Sequence, residues 1–330
     1  MADRRVKMTG ISRRDRMLGG LWGAVVGDAL GVPVEFRGRD IRKGDPVTDM
    51  RGYGTFNLPP GSWSDDSSLM LCTAQSLLEG FDLGRMGDLF VSWFTAGLWT
   101  PHGQAFDVGR GTWQAISRMQ LGTPAATAGG REEENNGNGS LMRILPVALY
   151  CAAAGDDELL RIAHEASAVT HGHPRSMMAC GVYCFLIAAL LDGMPPREAY
   201  LLAMEKMKRL YGGPPFSEEL AHFTRLLSGD IETVPEAAIE SDGYVVHTLE
   251  ASLWCLLGTD AYNSAVLRAV NLGWDTDTTA IVTGGLAGTY YGLEAVPLQW
   301  RDTLARKQEI EALFERFVEK MICPFAFSSG

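Results

Sequence analysis

Met17-Leu18-Gly19-Gly20-Leu21-Trp22-Gly23-Ala24-Val25-Val26-Gly27-Asp28-Ala29-Leu30-Gly31 repeats its large apolar residues at intervals of three and four. That is the period of a helix, and a strand would alternate every second residue. Gly23, Gly27 and Gly31 recur every fourth residue and therefore share a face. They form a smooth ridge along which a second helix can approach closely.

The same period governs the chain on either side. Helical runs are expected at about 64–80, 85–97, 107–120, 140–153, 156–170 and 174–192, and again at 195–211, 217–228, 244–258, 260–272, 278–292 and 302–321. Two-residue alternation is absent, so the chain reads as all-α. Two stretches interrupt the pattern. Residues 37–62 are rich in Gly and Pro, and residues 121–139 run through Thr, Ala and Gly to a Glu triplet at 132–134 and then Asn135-Asn136-Gly137-Asn138-Gly139. Long structureless loops inside a domain usually carry function. Neither has the composition of a linker, and we expect one domain over 1–330 with residues 1–14 as a solvated basic arm (Arg4, Arg5, Lys7, Arg13, Arg14, with Arg16 just beyond).

At 330 residues with 46% hydrophobic content, the chain can bury a large core. A net charge of −11 argues against an extended nucleic-acid surface, which needs a basic face. No signal-peptide pattern follows the basic start, and the apolar run Met177–Leu191 reads as a buried helix, so no membrane partner is expected. Cys72, Cys151, Cys180, Cys184, Cys255 and Cys323 lie mostly in apolar runs without metal-binding spacing. Reduced thiols in the cytoplasm are the expectation.

Chemistry is concentrated in two acidic clusters. Ser64-Asp65-Asp66 precedes an apolar run, as does Asp275-Thr276-Asp277-Thr278. Taken singly, each is also what an ordinary helix cap looks like. Taken together, each holds two acids where one cap suffices, and crowded carboxylates call for a cation or a proton. Carboxylates and hydroxyls are the donors that hard divalent ions prefer. Asn138-Gly139-Ser140 forms a Gly-bearing turn suited either to a phosphate or to a plain cap. His171 lies at a helix junction, Glu35 just past the end of an apolar helix beyond Pro33, and Asp107 where the next helix could be capped.

Five segments in order carry a resemblance: Gly27-Asp28-Ala29-Leu30-Gly31 with Glu35; Trp63-Ser64-Asp65-Asp66-Ser67-Ser68; Gly137-Asn138-Gly139-Ser140-Leu141-Met142-Arg143; Thr170-His171; and Asp275-Thr276-Asp277-Thr278-Thr279-Ala280. Together they resemble the ADP-ribosylglycohydrolase family over roughly residues 15–300. The resemblance implies an orthogonal multi-helix bundle with a dinuclear metal cleft, binding two Mg²⁺ or Mn²⁺ ions. It puts Ser64, Asp65, Asp66, Asp275, Asp277 and Thr278 on metal ligands, and it implies catalytic parts for Glu35, Asp65 and Asp107. Asn138, Gly139, Ser140 and His171 fall on ligand-binding positions. Ser64 and Ser67 stand where many members have Thr, which keeps the hydroxyl.

The implied reaction is metal-dependent removal of ADP-ribose from modified proteins, with arginine as the expected acceptor. Cleavage at C1 of the ribose builds positive charge, which acidic walls tolerate, and a guanidinium fork pairs with a carboxylate. The alternatives are a serine-linked or small-molecule-linked ADP-ribose as substrate, a catalytically silent ADP-ribose binder, and a metal-dependent phosphohydrolase acting on the pyrophosphate.

Overall fold

Ser12 starts the first helix, its hydroxyl accepting the backbone N–H of Asp15 at 3.0 Å. In the computed structural model, which describes residues 10–322, that helix is α1 (Arg13–Gly31). It is followed by α2 (Arg39–Gly44), α3 (Asp65–Leu77), α4 (Leu83–Ala96), α5 (Arg110–Gln120) and α6 (Ala125–Ala128). Next come α7 (Leu145–Cys151), α8 (Asp156–Ala168), α9 (Pro174–Leu191), α10 (Pro196–Leu210) and the single turn α11 (Thr224–Leu227). The chain closes with α12 (Val245–Leu257), α13 (Tyr262–Val270), α14 (Thr276–Tyr291), α15 (Leu298–Thr303) and α16 (Lys307–Ile322). Among the described residues there is no strand, only two isolated bridges, Gly130 with His171 and Gly137 with Tyr244. The fold is all-α.

Several expected boundaries move for local reasons. The basic arm is corrected: Arg13 and Arg14 belong to α1, where they pair with Asp192 and Glu315. Arg16 is buried and donates to the carbonyls of Thr289 and Tyr290. Arg4, Arg5, Lys7 and Cys323 lie outside the described residues. The run expected from 107 begins at Arg110, because Asp107 holds a left-handed φ of 54°. The run expected from 140 begins at Leu145, after a tight turn through Asn138–Arg143. Short helices α2 and α6 occupy parts of the two stretches expected to be loops.

The most extensive helix contact joins segments far apart in the chain, α1 against α14. The glycine ridge explains it. A Cβ placed on Gly19 would lie 2.4 Å from the carbonyl oxygen of Gly288, on Gly23 2.5 Å from that of Gly284, and on Gly27 2.2 Å from that of Ala280. The backbones touch where ordinary side chains would hold helices about 8–10 Å apart. At the end of the ridge, a Cβ on Gly31 would stand 2.3 Å from Cα of Asp277, and Thr276 Oγ1 donates to the Gly31 carbonyl at 2.8 Å. The ridge therefore sets where the second acidic cluster begins.

Arg13–Val34 and Pro174–Leu191 are long and apolar enough to cross a membrane by length and composition alone. Their apolar windows are 100% and 83% buried inside the fold, as befits core helices. The five described cysteines are buried and free.

Candidate active site

Two helix starts face one another across the end of α1. Ser64 caps α3, its hydroxyl accepting the N–H of Asp66 at 3.2 Å, and Asp65 and Asp66 occupy the first turn. Asp275 stands at the start of α14 with Asp277 in its first turn, where Oδ1 accepts the N–H of Thr278 at 3.0 Å. Asn138 Nδ2 donates to Asp275 Oδ2 at 2.8 Å and to Thr248 Oγ1 at 2.9 Å, which ties the 138–143 turn to this cluster. Glu35 follows a 3₁₀ turn, Val32–Val34, and only 4% of its surface is exposed. It is thus no solvated helix end. Asp107 caps nothing; its left-handed backbone carries it into the same cleft.

One contributor was named in the sequence without a role. Asp28, fully buried on α1, accepts the backbone N–H of Ser64 at 3.0 and 3.2 Å and that of Ser67 at 2.9 Å. It holds the start of α3 in place. The signal was available, because Asp28 is the only charged residue between Met17 and Gly31.

Glu35, Asp275 and Asp277 offer carboxylate oxygens that all lie within 4.8 Å of one another. Burial, and then repulsion from Asp277, Asp107 and Asp275, raises Glu35 far above the carboxylate range. Burial likewise raises Asp65 and Asp66, reinforced by Asp107 and Asp277 respectively, and it raises Asp277 with Asp107 next in effect. Asp107 and Asp275 are raised by burial too, and Asp28 is pushed up to about 6 by the same cause. Among the described residues, no ion pair reaches any of these acids. Glu35 Oε2, Asp66 Oδ2 and Asp277 Oδ2 are buried with no hydrogen-bond partner. Unpaired buried carboxylates are costly, and they take up protons or bind a cation. The donor set is all oxygen, which fits hard divalent ions.

The cleft above these acids encloses about 410 Å³. Glu35, Asp65, Asp66, Asp107, Asp275 and Thr278 line it from one side, and Asn138, Gly139 and His171 from another. Ser64 and Asp277 sit just beneath, nearly inaccessible. Ser140 is a correction. Its hydroxyl turns into the core, receiving hydrogen bonds from Ser167 Oγ at 2.9 Å and Cys180 Sγ at 3.4 Å, and it does not line the cleft. His171 is wedged between glycines: a Cβ on Gly139 would lie 2.7 Å from its ring, and one on Gly111 2.8 Å. Thr170 Oγ1 lies 2.9 Å from His171 Nδ1 and accepts from the fully buried Arg143 at 2.8 Å. Burial, with the Arg143 charge adding to it, pushes His171 down to about 3 and leaves it neutral. Sequence reasoning missed the stretch Gly109 to Thr112, which packs against His171 and Gly139, and also Gly243. The glycines carry no side chain to read, and Arg110 and Thr112 belong to no motif in the sequence.

The ADP-ribosylglycohydrolase family profile matches residues 9–324. The chain belongs to the ADP-ribosylglycohydrolase family. It is 31% identical to the ADP-ribosylarginine hydrolase Tri1 of Serratia proteamaculans over 92% of this chain and 78% of that one. It is also 31% identical to the ADP-ribosyl-[dinitrogen reductase] glycohydrolase of Rhodospirillum rubrum, over 92% and 95% of the two chains. A solved structure described as an ADP-ribosylglycohydrolase-related protein complex superposes with a TM-score of 0.75 at 34% identity, covering 94% of this chain and 99% of its own. Like its family, the chain is a hydrolase of ADP-ribosyl bonds.

Proposed function

We propose that this ADP-ribosylglycohydrolase releases ADP-ribose from arginine side chains of modified proteins, using two divalent cations of the Mg²⁺ or Mn²⁺ class. The observation that carries the metal reading is the set of buried carboxylate oxygens without hydrogen-bond partners on Glu35, Asp66 and Asp277, none of them in an ion pair among the described residues. Ser64, Asp65, Asp66, Asp275, Asp277 and Thr278 would hold the ions. When bound, such ions orient ribose hydroxyls and raise the acidity of the oxygens they touch.

The chain's own groups do the rest. Asp65 and its acidic neighbours face the C1 region, where positive charge develops. In the metal-free protein burial, and then Asp277, Asp107 and Asp275, raise the pKa of Glu35, and Asp107 is also its hydrogen-bond partner. Asp107 offers a carboxylate to the planar guanidinium fork of the acceptor. Asn138 and Gly139 approach the ligand, and neutral His171 presents a ring nitrogen to it. The names of the Serratia and Rhodospirillum relatives support a protein acceptor, and the first supports arginine. Five free, buried cysteines support a reducing, cytoplasmic setting.

The test is release of free ADP-ribose from an ADP-ribosyl-arginine substrate with Mg²⁺ or Mn²⁺, and again with EDTA. Metal-dependent release supports the reading. Release only from a serine-linked substrate would overturn the acceptor, and undiminished release in EDTA would overturn the metals.

A further inference from the structure

The turn Asn138–Arg143 makes a polar contact of consequence at each end. Asn138 reaches Asp275 among the cleft acids. Arg143, at the other end, is 0% exposed, and its guanidinium carbon lies over the Phe90 ring, 4.7 Å from the centroid. Its Nη2 donates to the Ala166 carbonyl at 3.0 Å and to Thr170 Oγ1 at 2.8 Å, while Nε and Nη1 have no hydrogen-bond partner. Among the described residues no carboxylate pairs with it.

A buried charge without a counter-ion lowers stability, and an apolar side chain of similar size would pack there without that penalty. The neighbouring threonine shows what the charge does. Thr170 Oγ1 takes a guanidinium proton, and the other polar atom it meets is His171 Nδ1 at 2.9 Å. A guanidinium cannot accept a hydrogen bond, so the threonine proton goes to the histidine. The His171 backbone is pinned as well, its N–H by the Ser167 carbonyl at 2.8 Å and its own carbonyl by Ser167 Oγ at 2.9 Å. That leaves Nε2 at the cleft edge, where a Cβ on Gly111 would lie 2.8 Å from it and one on Gly137 3.6 Å.

We infer that Arg143 is a positioning residue for ligand recognition: acting through Thr170, it makes His171 Nε2 a hydrogen-bond donor aimed at an acceptor oxygen of the ligand. This role rests on the ADP-ribose reading above. The fixed cation behind the ring also opposes a second proton on it, so the imidazole works as a neutral donor.

The experiment joins nitrogen NMR of the histidine-labelled full chain to steady-state kinetics on ADP-ribosyl-arginine with Mg²⁺ or Mn²⁺. Wild-type His171 is expected to carry its proton on Nε2 alone, and a proton on Nδ1 would overturn the inference whatever the variants do. Arg143→Met frees Thr170 to accept from the ring, so both tautomers should appear. KM should then rise about three- to tenfold as the competent fraction falls, with kcat within about twofold. Arg143→Lys keeps a charge and a donor, and should keep the single tautomer and most of the affinity. Arg143→Met combined with Thr170→Val should lose no more than either change alone, because both break one chain of hydrogen bonds. A lone Nε2–H tautomer in folded Arg143→Met, or additive losses in the double variant, would make Arg143 a mere support for the turn and overturn the inference. No ADP-ribose release by a wild type that shows the expected tautomer would instead overturn the glycohydrolase reading alone.

Discussion

Asp28 receives the backbone N–H of Ser64 on both carboxylate oxygens, at 3.0 and 3.2 Å, across the boundary between α1 and α3. The first helix thereby anchors the start of the helix that carries Asp65 and Asp66. Asp28→Ala leaves the buried N–H groups of Ser64 and Ser67 without acceptors, and an unsatisfied buried donor costs about 1–3 kcal/mol. A lowered unfolding midpoint in urea, together with weakened Mg²⁺ or Mn²⁺ binding by titration calorimetry, is the expected pair of results. Unchanged metal affinity would leave Asp28 with a purely structural part.

Asp277→Asn and Asp65→Asn should abolish ADP-ribose release without unfolding the protein. Without metal, each change removes one ionisable group from a crowded buried cluster, so the metal-free variants should be as stable as the metal-free wild type or more so. The rise in melting temperature on adding Mn²⁺ to the wild type should be lost, since stabilisation by a ligand scales with its affinity for the folded state. Thermal scans with and without Mn²⁺ decide it, and a full metal-induced shift in Asp277→Asn would remove that residue from the ligand set.

Gly27→Ala forces a methyl to within 2.2 Å of the Ala280 carbonyl oxygen, between two backbones that cannot both yield. Overpacking of this kind costs about 1–3 kcal/mol or more. Gly44→Ala, where a Cβ meets nothing within 4 Å, should be neutral or slightly stabilising. Chemical denaturation of the two variants side by side tests the ridge, and equal effects would dismiss it.

Thr170 carries one hydroxyl proton and accepts from Arg143, so its proton is free for His171 Nδ1, 2.9 Å away. That arrangement leaves the proton of neutral His171 on Nε2, facing the cleft. Nitrogen NMR should show this single tautomer, untitrated from pH 5 to 8 as burial and the Arg143 charge require. Thr170→Val should mix the tautomers and raise KM more than it lowers kcat.

His247 behaves in the opposite sense. Its hydrogen bond to Asp242, at 2.8 Å, raises its pKa above the ordinary value of 6.5. The stabilisation is full below pH 6.5, where His is charged in both the folded and unfolded chain, and it fades as pH rises through the raised value. In proton NMR, Asp242→Asn should move the His247 titration midpoint downward, and an unmoved midpoint would discard the pair.

Much of this arrangement was legible in the residues. The helical period of α1 and its glycine ridge emerged from spacing alone, because a close helix contact demands small residues on one face. The two acidic clusters were readable because two acids exceed what a cap needs. Asp107 emerges only through the family resemblance, the inward turn of Ser140 does not emerge at all, and the reason is the same for both. Their placement depends on backbone turns, a left-handed residue in one case and a tight turn in the other, that direct one side chain into the cleft and the other into the core. Glu35 read as a helix end in sequence because its burial is supplied by the distant 53–58 turn, where Thr55 Oγ1 donates to its carbonyl at 2.7 Å.

The pairing of α1 with α14 also has a consequence in time. During synthesis α1 leaves the ribosome before α14, and its glycine face has no partner until residues 276–291 follow, more than two hundred residues later. The nascent chain can build its middle helices while the catalytic pocket does not yet exist. A product terminated before Thr276 lacks Asp277 and the surface that seats α1, so premature termination yields an inert chain and never a partly active one.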